Sequence, residues 1–197
     1  MKILLIGATG TIGKAVAEKL SNHEVISANY KEGDVTVDLG SKSSVQTMLE
    51  TVGKVDAIIS TAGLAQFGPM AEQTDADYQL ALDNKLMGQV NLVRLGKEYV
   101  NHGGSITLTS GVLSRQPLPG SASIAMVNGA LESFARAAAL EIENIRVNVV
   151  APVFVKETME MMGMDSSTGV SAADTAKTYI QALEGGMHGE TIDVEAE

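Results

Sequence analysis

The 197-residue chain carries a formal net charge of −10 and has no cysteine, and 45% of its residues are hydrophobic. No Lys/Arg cluster offers itself to phosphates, which argues against nucleic acid and anionic membrane surfaces as partners. The lack of cysteine excludes disulfides, thiol nucleophiles and zinc–thiolate sites.

A chain of this length buries roughly 70% of its unfolded surface, so one globular domain over residues 1–197 is expected. Residues 2–6 (KILLI) read as a buried strand. Six residues before the first glycine are too few for the apolar region of a leader, and no apolar run approaches the roughly 20 residues of a membrane span. A cytoplasmic protein is expected.

GATGTIG, residues 7–13, follows that strand and opens a helix over 12–21. Gly7 permits a tight turn, Gly10 lets backbone N–H groups approach a pyrophosphate, and Gly13 allows close helix–strand packing. Thr9, Thr11 and Ile12 share this turn, where the helix adds about half a positive charge. The spacing is GxxGxxG, not GxGxxG. A tight turn without ligand is the plainer reading of the glycines alone; the strand–turn–helix context favours a dinucleotide.

The second strand, 24–28, runs out near Asn29, where an acid would hold a ribose 2′-hydroxyl. Asn29, Tyr30 and Lys31 are neutral or cationic there, which suits the 2′-phosphate of NADP better than NAD, although Lys31 reads equally well as a solvated turn lysine. A short third strand, 34–38, ends at Asp38-Leu39, where a carboxylate can accept from an adenine amino group. A helix follows over 41–53, capped by Ser41 and stopped by Gly53.

DAIIST, 56–61, is apolar on both faces, as in a central parallel strand. Its end reads STAG, and the small Ala62 and Gly63 let backbone pass close to an adenosine. A long helical pattern spans 75–101, SITLTS (105–110) is another strand, and an alanine-rich helix spans 121–143. RVNVVAP, a helix over 171–186 and ETIDVEA complete the chain. Residues 153–171 are irregular and hold four of the ten methionines. This alternation predicts right-handed crossovers and an α/β, Rossmann-type doubly wound parallel sheet of about seven strands, with helices on both faces.

These segments resemble the short-chain dehydrogenase/reductase family over nearly the whole chain. The likeness rests on GATGTIG, Asp38-Leu39, STAG, KLMG at 85–88, GGSITLTSG at 103–111, ALESFARAAALEI at 130–142, RVNVVAP at 146–152 and GETIDV at 189–194. It implies an oxidoreductase that moves hydride between NADP, or NAD, and a small carbonyl or alcohol. It also implies a homodimer or homotetramer through the long helices, with Ala135, Ala138 and Ala139 permitting close approach.

The family's catalytic positions are changed. Its tyrosine falls on Ile124 and its lysine on Asn128. Its serine falls on Gly111, with Ser110 one step earlier, and its asparagine on Lys85, with Asn84 one step off. Its Pro-Gly pair reads Pro152-Val153.

An ammonium and an amide have thus exchanged places, which makes Lys85, Asn128 and Ser110 the candidate catalytic residues and Pro152 a cofactor contact. The other reading makes Lys85 an exposed helix lysine and Asn128 a packing residue. The protein would then be an inactive NADP(H)-binding sensor or regulatory subunit.

Tyr99 and Tyr179 fall late in helices, away from ligand-binding strand ends. Ser114, Arg115, Ser121 and Ser123 are expected to border the pocket, with Arg115 either suited to an anionic substrate or solvated. His23, His102 and His188 are expected at the surface, residues 159–164 as an apolar lid or as helix core. No metal-ligand cluster is present.

Overall fold

Four consecutive aliphatic residues demand burial on both faces, which an interior strand of a parallel sheet supplies. Lys2–Ile6 forms β1, and Ile3 through Ile6 are at most 1% exposed. The computed structural model describes residues 1–194.

The remaining strands are β2 Glu24–Asn29, β3 Val35–Thr36, β4 Val55–Ser60, β5 Val100–Thr109, β6 Arg146–Ala151 and β7 Thr191–Asp193. All pair in parallel, in the order β3-β2-β1-β4-β5-β6-β7. Because β1 has β2 on one side and β4 on the other, successive crossovers leave on opposite faces and a crevice opens at the carboxyl ends. Ile6 is opposite both Ala28 and Ser60, and Thr109 is opposite Val150. The register therefore brings Gly7, Asn29, Thr61, Ser110 and Pro152 to one edge.

The helices are α1 Thr11–Lys19, α2 Lys42–Val52, α3 Asp75–Leu80, α4 Gly88–Gly96, α5 Ala122–Ala139, α6 Lys156–Met161 and α7 Ala172–Glu184. Val45, Leu49, Leu92 and Leu131 of α2, α4 and α5 cover one face of the sheet. Val16, Ala176, Tyr179 and Leu183 of α1 and α7 cover the other. Ser41 caps α2 by accepting from the Ser44 N–H at 3.3 Å, and Gly53 ends it with φ 69°, as its sequence predicts. Among the described residues no helix is long and apolar enough to cross a membrane.

Several boundaries differ from expectation, and the stretch 153–171, expected to be irregular, contains α6. The third strand keeps only Val35–Thr36 of 34–38. The helix expected over 121–143 stops at Ala139, because the chain must turn into β6 and the Asn144 carbonyl is taken by the Gly103 N–H at 2.8 Å. β5 starts at Val100, five residues early, with an irregular register against Val55 and Ala57. The 75–101 helix is broken: α3 passes into a π-helical stretch, Ala81–Met87, then α4 and a 3-10 turn at Lys97–Tyr99. Residues 195 and 196 of the expected last strand lie outside the described residues.

Candidate active site

The first turn after β1 is built around two glycines. Gly7 has φ 85°, a left-handed backbone that favours glycine. A Cβ on Gly13 would fall on the Gly7 carbonyl oxygen, so α1 reaches the strand end only without one. The Gly10 N–H donates to the Gly7 carbonyl at 3.0 Å. Gly10 thus spends its amide inside the turn, and the donors left at the positive end of α1 are the amides of Thr11, Ile12 and Gly13.

A cleft of about 540 Å³ opens beside this turn, bordered by Gly7, Thr9 and Gly10. Asn29 and Tyr30 line it where β2 ends, Asp38 and Leu39 from the segment after β3, and Ala62 and Gly63 from the segment after β4. Asn29 braces the glycine loop: its Oδ1 accepts from the Thr9 N–H at 3.1 Å and the Thr9 hydroxyl at 3.2 Å, while its Nδ2 is buried without a partner. Lys31 is exposed and lies outside the cleft lining, as does Thr11. Asp38 accepts from the Gly40 N–H at 2.9 Å. A Cβ on Gly63 would come 2.9 Å from Lys85 Cγ, so this small residue also makes room for the lysine.

Thr61 borders both this cleft and an inner pocket of about 260 Å³. Lys85, Ser110, Gly111, Ile124, Asn128 and Pro152 all line the inner pocket, and Ile12 reaches it from α1. The two exchanged residues therefore share one pocket. Asn84 belongs to the outer cleft, where its Oδ1 accepts from the Leu64 N–H at 2.8 Å.

The π-helical turn sets the phase of Lys85. The Gly88 N–H donates to the Asp83 carbonyl five residues back, a local widening common at functional sites. Gln89, fully buried, donates to the Lys85 carbonyl at 3.1 Å and pairs both ways with the Thr109 backbone, at 2.8 and 2.9 Å. This glutamine ties α4 to the end of β5 and was missed by sequence reasoning. Its only signal is a polar residue within an apolar stripe.

Lys85 Nζ donates to the Ser110 carbonyl at 3.5 Å and pairs with no carboxylate among the described residues. Desolvation pushes its ammonium down to about 8. Asn128, 2% exposed, donates from Nδ2 to the Gly111 carbonyl at 3.4 Å, and its Oδ1 is buried without a partner. A Cβ on Gly111 would come 2.9 Å from that Nδ2, so the amide occupies space a serine at 111 would need. Ser110 lines the pocket, but its hydroxyl donates to Glu132 Oε1 at 3.0 Å. The Pro152 carbonyl accepts from the Val112 N–H at 2.9 Å.

Several expectations are corrected. Arg115 is not simply solvated: its guanidinium grips Asp193 with two nitrogens, and its Nε lies 3.5 Å from Glu132 Oε2. Asp193 beside it raises the guanidinium further and is itself held below the usual carboxylate range. Tyr179 does reach a strand end. It is fully buried, with its hydroxyl 2.6 Å from Thr109 Oγ1, which donates to the Ser60 carbonyl at 2.6 Å. Burial pushes its phenol up, away from proton transfer at neutral pH.

His188 is partly buried; its Nδ1 accepts from the Val147 N–H at 3.0 Å and its Nε2 donates to the Ile142 carbonyl at 2.9 Å. Ala135 is 1% exposed and packs on the sheet, not outward. Met159 is core, whereas Met161, Met162 and Met164 are exposed. Glu132, 4% exposed and bonded also to the Ser114 hydroxyl at 2.6 Å, was not singled out. Its signal is spacing, one helical turn beyond Asn128 and two beyond Ile124.

The family model for enoyl-(acyl carrier protein) reductases matches residues 4–184. The crystal structure of the protein lin1944 from Listeria innocua is 43% identical with TM-score 0.94, covering 99% of this chain and 100% of that one. A small-chain dehydrogenase solved in complex with NADPH is 30% identical with TM-score 0.89, covering 99% and 96%. Hydroxynaphthalene reductase arp2 of Aspergillus fumigatus is 26% identical over 154 residues, 74% of this chain but only 56% of that enzyme. The strand order, the glycine turn and these matches lead to one conclusion: the chain belongs to the short-chain dehydrogenase/reductase family.

Proposed function

We propose that this protein is an NADP(H)-dependent oxidoreductase of a small carbonyl or alcohol, with Lys85 as its proton source. The observation that carries the proposal is that the Lys85 ammonium lines an apolar pocket meeting the glycine-turn cleft at Thr61. The residues present suit a dinucleotide: a left-handed Gly7, a contact that only glycine allows at position 13, and a helix N-terminus at Thr11 with no side-chain cap. The NADPH held by the 30% identical dehydrogenase, and the lack of an acid over Asn29–Tyr30–Lys31, support NADP over NAD. When bound, the cofactor supplies or accepts the hydride.

The chain's own residues do the rest. With its pKa near 8, Lys85 is mostly an ammonium at neutral pH, able to donate to a carbonyl oxygen and release its proton to a forming alkoxide. The Ser110 carbonyl orients that ammonium. Asn128 forms a neutral wall. A second lysine there would place two like charges in one desolvated pocket, so the exchange leaves a single cation. Assembly as a homodimer or homotetramer is proposed through the outer faces of α4 and α5, where Met126 is exposed; light scattering that finds only monomer would refute it.

The test is a fluorescence titration with NADPH, then a carbonyl panel followed by NADPH oxidation. Lys85→Met is expected to keep NADPH affinity within a few-fold and to lose about 10²–10⁴ in turnover. Absence of NADPH binding, or undiminished turnover by Lys85→Met, would defeat the proposal.

A further inference from the structure

The same lysine is placed for a second chemistry. We infer that Lys85 Nζ forms an imine with small uncharged aldehydes that enter the inner pocket. The inference rests on the pocket part of the reading above and not on the cofactor.

Three observations carry it. Lys85 Nζ has one long hydrogen bond, to a backbone carbonyl, and no carboxylate partner among the described residues, so nothing local holds it as an ammonium. The walls around it are largely apolar, from Ile12, Val112, Leu113, Ile124, Val153 and Phe154. Such walls favour the neutral amine and an uncharged guest. Three of the hydroxyls that border the pocket are engaged: Ser110 donates to Glu132, Thr109 to the Ser60 carbonyl and Thr61 to the Ile6 carbonyl. Of the groups in the pocket, an amine is the strongest nucleophile toward a carbonyl. The depressed pKa of about 8 agrees with this geometry.

The step balances without a further reactant. The Nζ lone pair forms a C–N bond to the carbonyl carbon while the C=O π pair moves to oxygen. The resulting carbinolamine loses its oxygen as water, together with the two amine hydrogens, and a C=N bond remains. No atom is oxidised or reduced.

The experiment treats the full chain with limiting butanal and sodium cyanoborohydride near neutral pH, then quantifies N-butyl groups by peptide mass spectrometry. Near pH 7.5 a lysine of pKa about 8 holds roughly two hundredfold more free amine than an ordinary lysine near 10.4. Lower intrinsic nucleophilicity offsets part of that gain. Labelling of Lys85 at least about tenfold above the exposed Lys31 and Lys42 is expected. Lys85→Arg should abolish the Lys85 label and leave the other two unchanged.

Glyoxylate, an anionic aldehyde, should lose this preference for Lys85. Labelling of Lys85 no faster than Lys31 and Lys42 would overturn the inference, and equal preference with glyoxylate would overturn the uncharged class. Saturating NADP⁺ separates the two readings: preferential labelling that NADP⁺ fails to slow still supports the imine while counting against a nucleotide in the cleft.

Discussion

Replacing Lys85 by methionine should stabilise the fold at neutral pH, and by an amount that depends on pH. The ammonium is brought from 10.5 to about 8 by desolvation, which corresponds to about 3 kcal/mol against the charged form at 1.36 kcal/mol per pH unit. The residue retains some solvent contact, which screens the charge, so about 1–3 kcal/mol is the working range. In the unfolded chain the same lysine titrates near 10.4. Below pH 8 both states are charged and the fold bears the full cost. Between about 8 and 10.4 the unfolded chain binds the extra proton, so stability rises with pH.

Methionine carries no such term. Urea unfolding of both proteins from about pH 7 to about pH 10 should therefore show the variant's advantage shrinking as pH rises. Taking the difference between the two proteins cancels the other titrating groups. A difference constant across that range would refute the claim that Lys85 is a desolvated cation, and with it the proton source proposed above.

Two further substitutions probe the scaffold on either side of the site. Gly13→Ala puts a methyl group onto the Gly7 carbonyl, a backbone atom that cannot swing aside. The cost expected is about 1–3 kcal/mol, or a Tm lower by about 3–10 °C at this chain length, with weakened NADPH binding; an unchanged Tm would disprove the close contact. Tyr179→Phe removes a buried hydroxyl from Thr109, whose own donation to Ser60 survives. A loss of about 1–2 kcal/mol in unfolding free energy is expected, with Lys85 trapping by butanal intact, since Tyr179 does not line the inner pocket. Loss of trapping in a folded Tyr179→Phe protein would contradict the separation of Tyr179 from the chemistry.

The sheet was legible because its signals are local. KILLI and DAIIST are apolar on both faces, which only interior strands tolerate, and Ser41 and Gly53 bound α2 by cap chemistry that needs no distant partner. The break in the 75–101 helix was not legible, because one π-helical turn hardly disturbs a 3.6-residue pattern. One contact there is tertiary: Gln89 reaching across to the Thr109 backbone.

The same distinction divides the site. Matching motif positions was enough to single out Lys85 and Asn128, which line the same pocket, since each sits at a fixed offset from a recognisable segment. Glu132 and Arg115 depend on the path of the loop after β5 and on a partner 78 positions away at Asp193, which no local pattern encodes. A carboxylate in an alanine-rich helix reads as solvated until Ser110, Ser114 and Arg115 are found around it. That cluster also sets the surroundings of Ser110. Its hydroxyl donates to the buried Glu132 carboxyl group and its carbonyl accepts from Lys85, so both of its polar groups face other residues of the site.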